Sequence, residues 1–450
     1  MKILFIAFEF PPLGGAGVQR SIKFAKYLGE FGIEPVVVTT DLSGFQQAMP
    51  GHPIDVSLLE HLPANLQVER IPFERKKSLK IGKFREWCRI YFSLVEDIAE
   101  QWWPSLDAAM PELLEKHRPV ALYVSLPPFC MAPLGCKIAR EYNLPLLLDF
   151  RDAWSQWRIS PYGSLLHYWL TRRMERQCLR AADRLVCTSN QTRADFLRVH
   201  PEVKGDKIQV ITNGYDQAIE DWTLKPKQGE EEFVIGYVGS FYYTPQARDS
   251  MMRPWWRKRP NRMIQFAPRT EDWLYRSPLF FFRAVAILLE KHPEYRNKLR
   301  IRFAGQKPEW IDAQVSECGL TDVVEFVGRL DHPSVIKFQK ECDALLVTSS
   351  KIIGGLDYSI AGKTFEYFSI RKPIIGFVAE GSQKELLGKS GMALLCDPDN
   401  PDLGAHQLSA LIDGAIHFQP NAEFLYSLHR RELTRRLALI IKSITSSTVS

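Results

Sequence analysis

The sequence alternates short apolar runs with amphipathic helical segments, and it does so twice. Runs of this kind occupy residues 3–8, 35–39, 121–125, 144–149 and 184–188, and then residues 233–238, 299–304, 324–327, 344–348, 373–378 and 392–396. Continuous apolar runs with helices between them are typical of a parallel sheet that is covered by helices on both faces. The pattern predicts an α/β protein with two Rossmann-like domains.

The length agrees with two domains, because 450 residues exceed what one hydrophobic core usually supports. We expect an N-terminal domain at 1–215, a polar linker at 216–232 and a C-terminal domain at 233–418. The remainder, 419–450, is expected to form an amphipathic helix over 423–441 that packs back on the first domain. Residues 242–275 separate a strand from its helix and are rich in Arg, Trp and Pro, so we interpret them as an insertion.

Cysteine usage and hydropathy indicate a compartment. The eight cysteines are scattered without a CxxC pair, which indicates reduced thiols and a cytoplasmic protein. No run reaches the roughly 18 uninterrupted apolar residues of a membrane-spanning helix.

The 10 histidines show no metal-binding spacing, and neither HExxH nor DxD occurs, so we expect no metal.

A glycine-rich loop at residues 354–362 leads into a helix that is predicted to begin near Lys363. Backbone N–H groups and the helix dipole at such a position can hold an anion such as a diphosphate, and Lys363 adds a positive charge. Glu366 lies one turn further on the same side and suits a neutral partner such as ribose hydroxyls. The alternative is a solvated helix start with Lys363 and Glu366 paired on the surface.

Two other loops follow the first strand of each half. Gly14 and Gly15 lie in the stretch PPLGGAG, and Gly239 and Ser240 end the first strand of the second half. Small residues at these places let the backbone approach a ligand at the carboxyl edge of the sheet. A plain tight turn is the alternative for Gly14 and Gly15. The fingerprint GxGxxG is absent, which argues against a nicotinamide-dependent oxidoreductase.

Three charged residues, Asp149, Arg151 and Asp152, follow another predicted strand. Two carboxylates beside an arginine at a strand end can bind sugar hydroxyls or act as an acid–base pair. The same three residues can equally form a structural network in which Arg151 holds both aspartates.

Basic residues are interleaved with aromatic ones in two segments, 75–103 and 251–259, each of which contains a Trp-Trp pair. Such segments suit an anionic membrane surface, where aromatic rings lie at the depth of the headgroups. Nucleic acid is a competing partner, but no nucleic-acid motif accompanies the segments, and we expect none to bind. A solvated face with some core aromatics is the third interpretation.

Taken together, the motifs resemble glycosyltransferase family 4. The resemblance rests on FEFPPLGGAGVQR, DFRDAW, AADRLVCTSN and VITNGYD in the first half, and on IGYVGSF, VEFVGRLDH and GKTFEYFSIRKPIIGF in the second. It implies a GT-B fold, with two Rossmann-like domains whose parallel sheets face a central cleft. It also implies a retaining enzyme that uses a nucleotide-sugar donor and no further cofactor.

The family usually carries two glutamates eight positions apart. The second corresponds to Glu366, which the resemblance assigns to the donor ribose. The first falls at Tyr358, beside Asp357, so this chain lacks the usual first acid.

The family also grips the diphosphate with a basic pair. One position of that pair corresponds to Ser240 or Phe241 here, and the other corresponds to Arg276 beyond the insertion. Lys363 is then the cation that compensates for the missing basic residue.

The resemblance implies catalytic roles for Lys363, Arg276 and Glu366. The predicted donor-binding residues are Gly14, Gly15, Gly239, Ser240, Arg276, Gly362, Lys363, Thr364 and Glu366, and the predicted acceptor-binding residues are Asp149, Arg151 and Asp152.

The predicted function is transfer of a sugar to a glycan acceptor, lipid-linked in our interpretation, in bacterial cell-surface polysaccharide synthesis. The expected location is the cytoplasm, including the inner face of the plasma membrane. Two alternatives share the fold. A nucleotide-sugar epimerase would release an altered sugar without an acceptor, and a non-catalytic scaffold protein would bind no nucleotide.

Overall fold

The computed structural model describes residues 1–73, 88, 91, 98–156, 161–224, 232–258 and 262–446. The chain divides into two compact units. The first comprises Met1–Asn213, Arg259–Pro268 and Arg430–Ser450, and the second comprises Gly214–Lys258 and Arg269–His429. Both the C-terminal end and a piece of the predicted insertion therefore belong to the first unit.

The first unit is built on a seven-stranded parallel sheet with the order β3-β2-β1-β4-β5-β6-β7. Its strands are β1 (Lys2–Ile6), β2 (Glu34–Thr40), β3 (Gln67–Ile71), β4 (Leu122–Leu126), β5 (Leu146–Phe150), β6 (Arg184–Cys187) and β7 (Ile208–Val210). Leu4 in β1 pairs with Val36 of β2 on one side and with Leu122 of β4 on the other. The strand order reverses at β1, which places the loop after β1 at the topological switch point where such sheets bind ligands.

Helices cover both faces of this sheet. They are α1 (Ala16–Leu28), α2 (Leu42–Ala48), α3 (Trp103–His117), α4 (Met131–Glu141), α5 (Leu165–Ala181) and α6 (Asn190–Val199). Leu4 and Ile6 point into one apolar cluster and Ile3 and Phe5 into another, as the alternation of side chains along a strand requires. This explains why the strands are apolar at every position rather than at alternate ones.

The second unit repeats the scheme with a six-stranded parallel sheet in the order β11-β10-β8-β12-β14-β15. Its strands are β8 (Phe233–Val238), β10 (Leu299–Ala304), β11 (Val324–Gly328), β12 (Ala344–Thr348), β14 (Ile374–Phe377) and β15 (Ala393–Cys396). Its helices are α7 (Pro245–Met252), α8 (Leu279–Lys291), α9 (Ile311–Glu317), α10 (His332–Glu341), α11 (Lys363–Ile370), α12 (Ser382–Ser390), α13 (Pro401–Ile412) and α14 (Ala422–Ser427). The predicted fold class, two Rossmann-like domains with parallel sheets, is confirmed.

The insertion at 242–275 contains regular structure where it is described. It forms α7, which is capped by the Thr244 side chain, and strand β9 (Thr270–Asp272). Strand β9 pairs antiparallel with β13 (Lys351–Ile353), and the two form a separate ribbon. The ribbon joins the end of the insertion to the loop after β12.

The C-terminal segment differs from the expected single helix over 423–441. It forms α14 in the second unit and α15 (Arg430–Ser446) in the first. Leu425 and Leu428 pack into a core of the second unit, whereas Leu433 and Leu437 pack into a core of the first. Both halves keep the helical spacing of apolar residues, so the spacing alone could not reveal the break at Leu428. Among the described helices, none is both long enough and apolar enough to cross a membrane.

Candidate functional site

The candidate site begins where strands β8 and β10 of the second unit end. Gly239 has φ 111° and Gly305 has φ 148°, values that favour glycine. A Cβ on Gly305 would lie 2.5 Å from the Gly239 carbonyl oxygen, so the two loops contact each other backbone to backbone. Ser240 follows with its side chain exposed, and its carbonyl oxygen accepts a hydrogen bond from the Tyr237 hydroxyl at 3.3 Å.

Lys363 faces this loop from the first turn of α11. Its Nζ lies 3.5 Å from the centroid of the Tyr237 ring and 3.5 Å from where a Cβ on Gly239 would stand. The Tyr367 hydroxyl accepts a hydrogen bond from the Val238 amide at 3.0 Å, which fixes α11 against the end of β8. The ammonium group is therefore held over an aromatic face, an arrangement that favours a cation.

The electrostatics of Lys363 are unusual for a surface helix. Burial lowers its pKa from 10.5 to about 7, and the charge of Glu366 opposes that shift. Glu366 itself is exposed, and in the described part of the chain no carboxylate lies within ion-pair distance of Lys363. The alternative of a surface Lys363–Glu366 ion pair is therefore wrong, because the ammonium lies over Tyr237 instead.

The loop before α11 is tied to the next helix. Gln383 accepts a hydrogen bond from the Ala361 amide at 2.8 Å and donates to the Thr364 hydroxyl at 3.1 Å. The Thr364 amide donates to the Ala361 carbonyl, so neither polar group of Thr364 is turned towards a ligand in this structure. Gly362 is exposed at the N-cap, which leaves its amide as the more accessible backbone donor.

Arg276 supplies a second cation to the same area. Its Nη2 lies 3.7 Å from a Glu271 carboxylate oxygen and 3.4 Å from the Ser350 hydroxyl, and its Nε is buried without a hydrogen-bond partner in the described chain. Burial raises the pKa of Tyr237, and the charge of Arg276 works against that rise. The Lys363 ammonium lies over the Tyr237 ring and the charge of Arg276 acts on the same tyrosine, although 87 residues separate the two cations in sequence.

Behind Arg276 lie two buried carboxylates that the sequence did not single out as a pair. The Ser350 hydroxyl is 3.4 Å from Glu271 and 3.3 Å from Asp357, and so bridges the two side chains. Burial raises the pKa of Asp357, while Arg276 and the hydrogen bonds from Ser359 lower it. Tyr358, at the position of the expected first acid, is only 3% exposed, and the Arg269 guanidinium lies 5.2 Å from its ring.

Tyr237, Glu271 and Ser350 are site residues that sequence analysis missed. Tyr237 could have been found from its place near the end of the strand before Gly239, and Ser350 from its place in the loop after β12. The β9–β13 ribbon brings Glu271 and Lys351 into neighbouring strands, and no short-range pattern predicts that pairing.

In the first unit, the predicted glycine loop follows β1. The Gly14 amide donates to the Pro53 carbonyl at 2.8 Å. Gly15 is exposed and directly precedes α1. Gly17 leaves space for the Arg151 side chain in this arrangement, because a Cβ there would lie 2.0 Å from a guanidinium nitrogen. Arg151 donates from Nε to the Leu126 carbonyl at 3.1 Å.

Asp149 is fully buried and its partners differ from those expected. Arg20 donates to both of its carboxylate oxygens at 2.8 and 2.9 Å, and the Tyr123 hydroxyl donates at 2.5 Å. The interpretation in which Arg151 holds Asp149 is wrong, because Arg20, which lies 129 residues away in sequence, does so. This geometry favours a structural role for Asp149, whereas Asp152 is only half-buried and stays a predicted acceptor residue.

The two Trp-Trp pairs have different environments. Trp102 is fully buried in the first core and donates its indole N–H to the Ile71 carbonyl at 3.2 Å, so it is a packing residue rather than a surface anchor. Most of the segment 75–103 before it lies outside the described residues. Trp256 is 63% exposed in the second unit, beside the exposed Arg257.

The fold and these sites can be compared with known proteins. The family profile described as "Glycosyl transferase 4-like domain" matches residues 15–214, and that of "Glycosyl transferases group 1" matches residues 277–423. These matches and the fold define a glycosyltransferase of the GT-B class. The chain belongs to the 4-like glycosyltransferase family and carries a group 1 domain in its second unit. The predicted family and enzyme class are confirmed.

Solved structures agree in fold over nearly the whole chain. The lipopolysaccharide outer core galactosyltransferase WaaB, in its apo form, has 13% identity and a TM-score of 0.57, with 98% of this chain and 100% of that chain covered. Anabaena HepE in complex with UDP has 15% identity and a TM-score of 0.54, with 100% and 98% covered. The UDP-GlcNAc 2-epimerase from Methanocaldococcus jannaschii has 10% identity and a TM-score of 0.50, with 98% and 100% covered. Among curated proteins, none matches the chain significantly.

The buried Arg20–Asp149 pair yields a stability prediction. Replacing Arg20 by Ala leaves Asp149 buried without its counter-charge, which we expect to cost about 3–5 kcal/mol of unfolding free energy. The control Arg435→Ala removes an exposed arginine that pairs with Glu432 on α15, and should cost less than about 1 kcal/mol. Denaturant unfolding followed by circular dichroism measures both, and equal losses would contradict a structural role for the buried pair.

Proposed function

We propose that this glycosyltransferase moves a sugar from a nucleoside-diphosphate sugar to a glycan acceptor with retention of the anomeric configuration. The observation that carries the proposal is the Lys363 ammonium, which lies over the Tyr237 ring and has no carboxylate within ion-pair distance among the described residues. The charge of Arg276 acts on the same tyrosine. Two cations and a helix N-terminus at the carboxyl edge of a parallel sheet suit a diphosphate. The fold is shared with HepE, whose structure contains UDP.

The proposed chemistry follows from where charge develops. The acceptor hydroxyl oxygen bonds to the anomeric carbon as the bond from that carbon to the phosphate oxygen breaks, and negative charge collects on the diphosphate. Cations already aimed at that charge lower the barrier, because they need not reorganise during the reaction. In our proposal Lys363 and Arg276 do this, and the leaving phosphate accepts the acceptor's proton on the same face of the sugar.

The other donor contacts are proposed by position. Glu366, exposed one turn beyond Lys363, would accept hydrogen bonds from the ribose hydroxyls, and Gly362 would donate its amide to a phosphate. The glycines of both loops, at Gly14, Gly15 and Gly239, would let a ligand come close to the backbone, with Ser240 exposed beside the last. Because two protein cations supply charge at the phosphate, we propose that transfer needs neither a metal nor a cofactor.

The acceptor is proposed to be a lipid-linked glycan of cell-surface polysaccharide synthesis. Support comes from the exposed Trp256 with its basic neighbours, and from the shared fold of WaaB, a galactosyltransferase named for the lipopolysaccharide outer core. In this proposal the enzyme works at the cytoplasmic face of the plasma membrane. Asp152 and Arg151, at the carboxyl end of β5, are the proposed acceptor contacts.

A panel of nucleoside-diphosphate sugars tests the proposed reaction. The purified chain is incubated with each donor, with and without glycan acceptors, while free nucleotide and sugar products are measured. Transfer predicts nucleotide release that increases with acceptor. Release of an altered free sugar without acceptor would establish the epimerase alternative, and no nucleotide binding at all would establish the scaffold alternative.

Replacing either cation should slow transfer without unfolding the chain. We expect Lys363→Ala and Arg276→Ala each to lower kcat by about a hundredfold or more, because each removes stabilisation of the leaving diphosphate. Lys389→Ala, which removes an exposed lysine paired with Glu385 on α12, is the matched control and should keep full activity. Full activity of Arg276→Ala would show that the diphosphate lies away from this cluster.

Nucleoside-diphosphate binding should weaken as pH rises above neutrality. The pKa of Lys363 is about 7 without ligand, so above that pH a growing fraction of the chain must take up a proton before it can bind the anion. We expect affinity to fall by up to about tenfold per pH unit above that pKa. Calorimetry in buffers of different ionisation enthalpy measures both the affinity and the proton uptake.

The variant Lys363→Arg provides the control for this pH dependence. An arginine stays charged throughout the range, so its affinity should vary much less between neutral and mildly alkaline pH. A wild-type affinity that is independent of pH, with no proton uptake, would contradict binding of the anion by Lys363.

A further inference from the structure

The start of helix α5 exposes three large apolar side chains. Leu165 is 60% exposed, Leu166 is 46% exposed and Trp169 is 50% exposed. The core-facing side of the same helix is formed by other residues, among them Thr171, Glu175, Cys178 and Leu179. The three apolar side chains, which we call the α5 apolar patch, therefore face outward on a helix whose other side is packed.

The rest of the outward face of α5 is basic. Arg172, Arg173, Arg176 and Arg180 are all exposed, and the Arg173 guanidinium lies 5.7 Å from the Trp169 ring. Arg172 donates to the Val199 carbonyl at 2.8 Å, and Arg176 lies 3.8 Å from Glu202. We call Arg173, Arg176 and Arg180 the α5 basic group.

The one acid of α5 does not offset these charges at the surface. Glu175 is completely buried, where it accepts hydrogen bonds from the Ser155 amide at 2.9 Å and from His200 at 2.7 Å. The exposed charges on the helix itself are thus all positive. An apolar first turn followed by a basic face matches the layering of a bilayer surface, with acyl chains beneath anionic headgroups.

Two other parts of the chain meet α5 at the same end. Phe266, from the insertion, exchanges backbone hydrogen bonds with Tyr162 at 2.7 and 3.0 Å, and its ring packs 4.8 Å from that of Tyr168. Met263 and Ile264 in this segment are 38% and 45% exposed. The Ser164 hydroxyl, which caps α5, also donates to the carbonyl of Tyr91.

We propose that the α5 apolar patch and the α5 basic group form a docking surface for an anionic lipid bilayer. The leucines and Trp169 enter the boundary between headgroups and acyl chains, where tryptophan is favoured, and the arginines meet lipid phosphates. The surface lies on the first unit, on a helix that carries none of the residues proposed for donor binding. The proposal depends on the proposed function in one respect only, namely that a lipid-linked acceptor would lie in the bilayer to which this surface binds.

Liposome flotation of the full chain tests the proposal without requiring activity. Vesicles of phosphatidylcholine mixed with phosphatidylglycerol are compared with vesicles of phosphatidylcholine alone, at low and high salt. The wild type should float only with the anionic vesicles, and less at high salt. Removing three basic residues near an anionic surface, at about fivefold each, should weaken partitioning about a hundredfold in R173S/R176S/R180S. We expect a loss of similar size in L165S/L166S/W169S, whose apolar side chains would no longer be buried in lipid.

Matched variants separate this surface from general effects. L403S/Y426S/L439S removes three side chains that are 47%, 59% and 55% exposed on other helices, and K337S/K340S/K389S removes three exposed charges of the second unit. Both should float like the wild type. Circular dichroism and thermal unfolding show whether each variant is folded, and a replacement of Trp169 alone by Ser repeats the test if the triple variant is not.

Several outcomes would overturn the proposal. These are equal flotation of the wild type with neutral and anionic vesicles, no flotation with either, or undiminished flotation of folded L165S/L166S/W169S. A wild-type dimer that becomes monomeric in that variant, without any change in flotation, would assign the patch to self-association instead. Nucleotide release with a soluble acceptor is assayed separately, so failure of glycosyl transfer alongside normal flotation would refute only the proposed function.

Discussion

An ammonium group held over an aromatic ring, with no carboxylate within ion-pair distance in the described part of the chain, is the interaction on which the candidate site of the second unit depends. Burial of Lys363 disfavours its charged form, whereas the charge of Glu366 and the contact with the Tyr237 ring favour it. Tyr367 helps to keep the group in place, because its hydroxyl accepts a hydrogen bond from the Val238 amide and fixes α11 to the end of β8. A cation kept partly desolvated in this way gains more from a bound anion than a fully hydrated lysine would.

The second cation depends on structure that the insertion contributes. Arg276 follows strand β9. Its guanidinium contacts Glu271 in β9 and Ser350, which directly precedes β13. Thr348 at the end of β12 donates to the Arg276 carbonyl at 3.0 Å, which ties its backbone to the main sheet. The insertion is thus more than a surface loop, because its last residues position a cation of the candidate site.

Much of the fold could be predicted from local sequence. Buried parallel strands are apolar throughout, so strands such as β8 and β12 were predicted with their bounds, and the helix that begins at Lys363 was predicted from its glycine-rich approach. The features that the sequence left open or predicted wrongly depend on contacts between distant residues. Arg20 binds Asp149, although the two are far apart in sequence, and Trp102 packs in a core rather than lying at the surface. The C-terminal segment forms two helices because its halves pack into different cores.

The central claim is that Lys363 binds the terminal phosphate of a nucleoside diphosphate. The most direct test is to measure the affinities of UDP and UMP for the wild type and for Lys363→Met, a variant of similar length that lacks the charge. If the claim holds, the wild type prefers UDP, and Lys363→Met loses most of that preference while its affinity for UMP stays the same. An equal preference for UDP in both proteins, or an equal loss of affinity for both nucleotides, would contradict it.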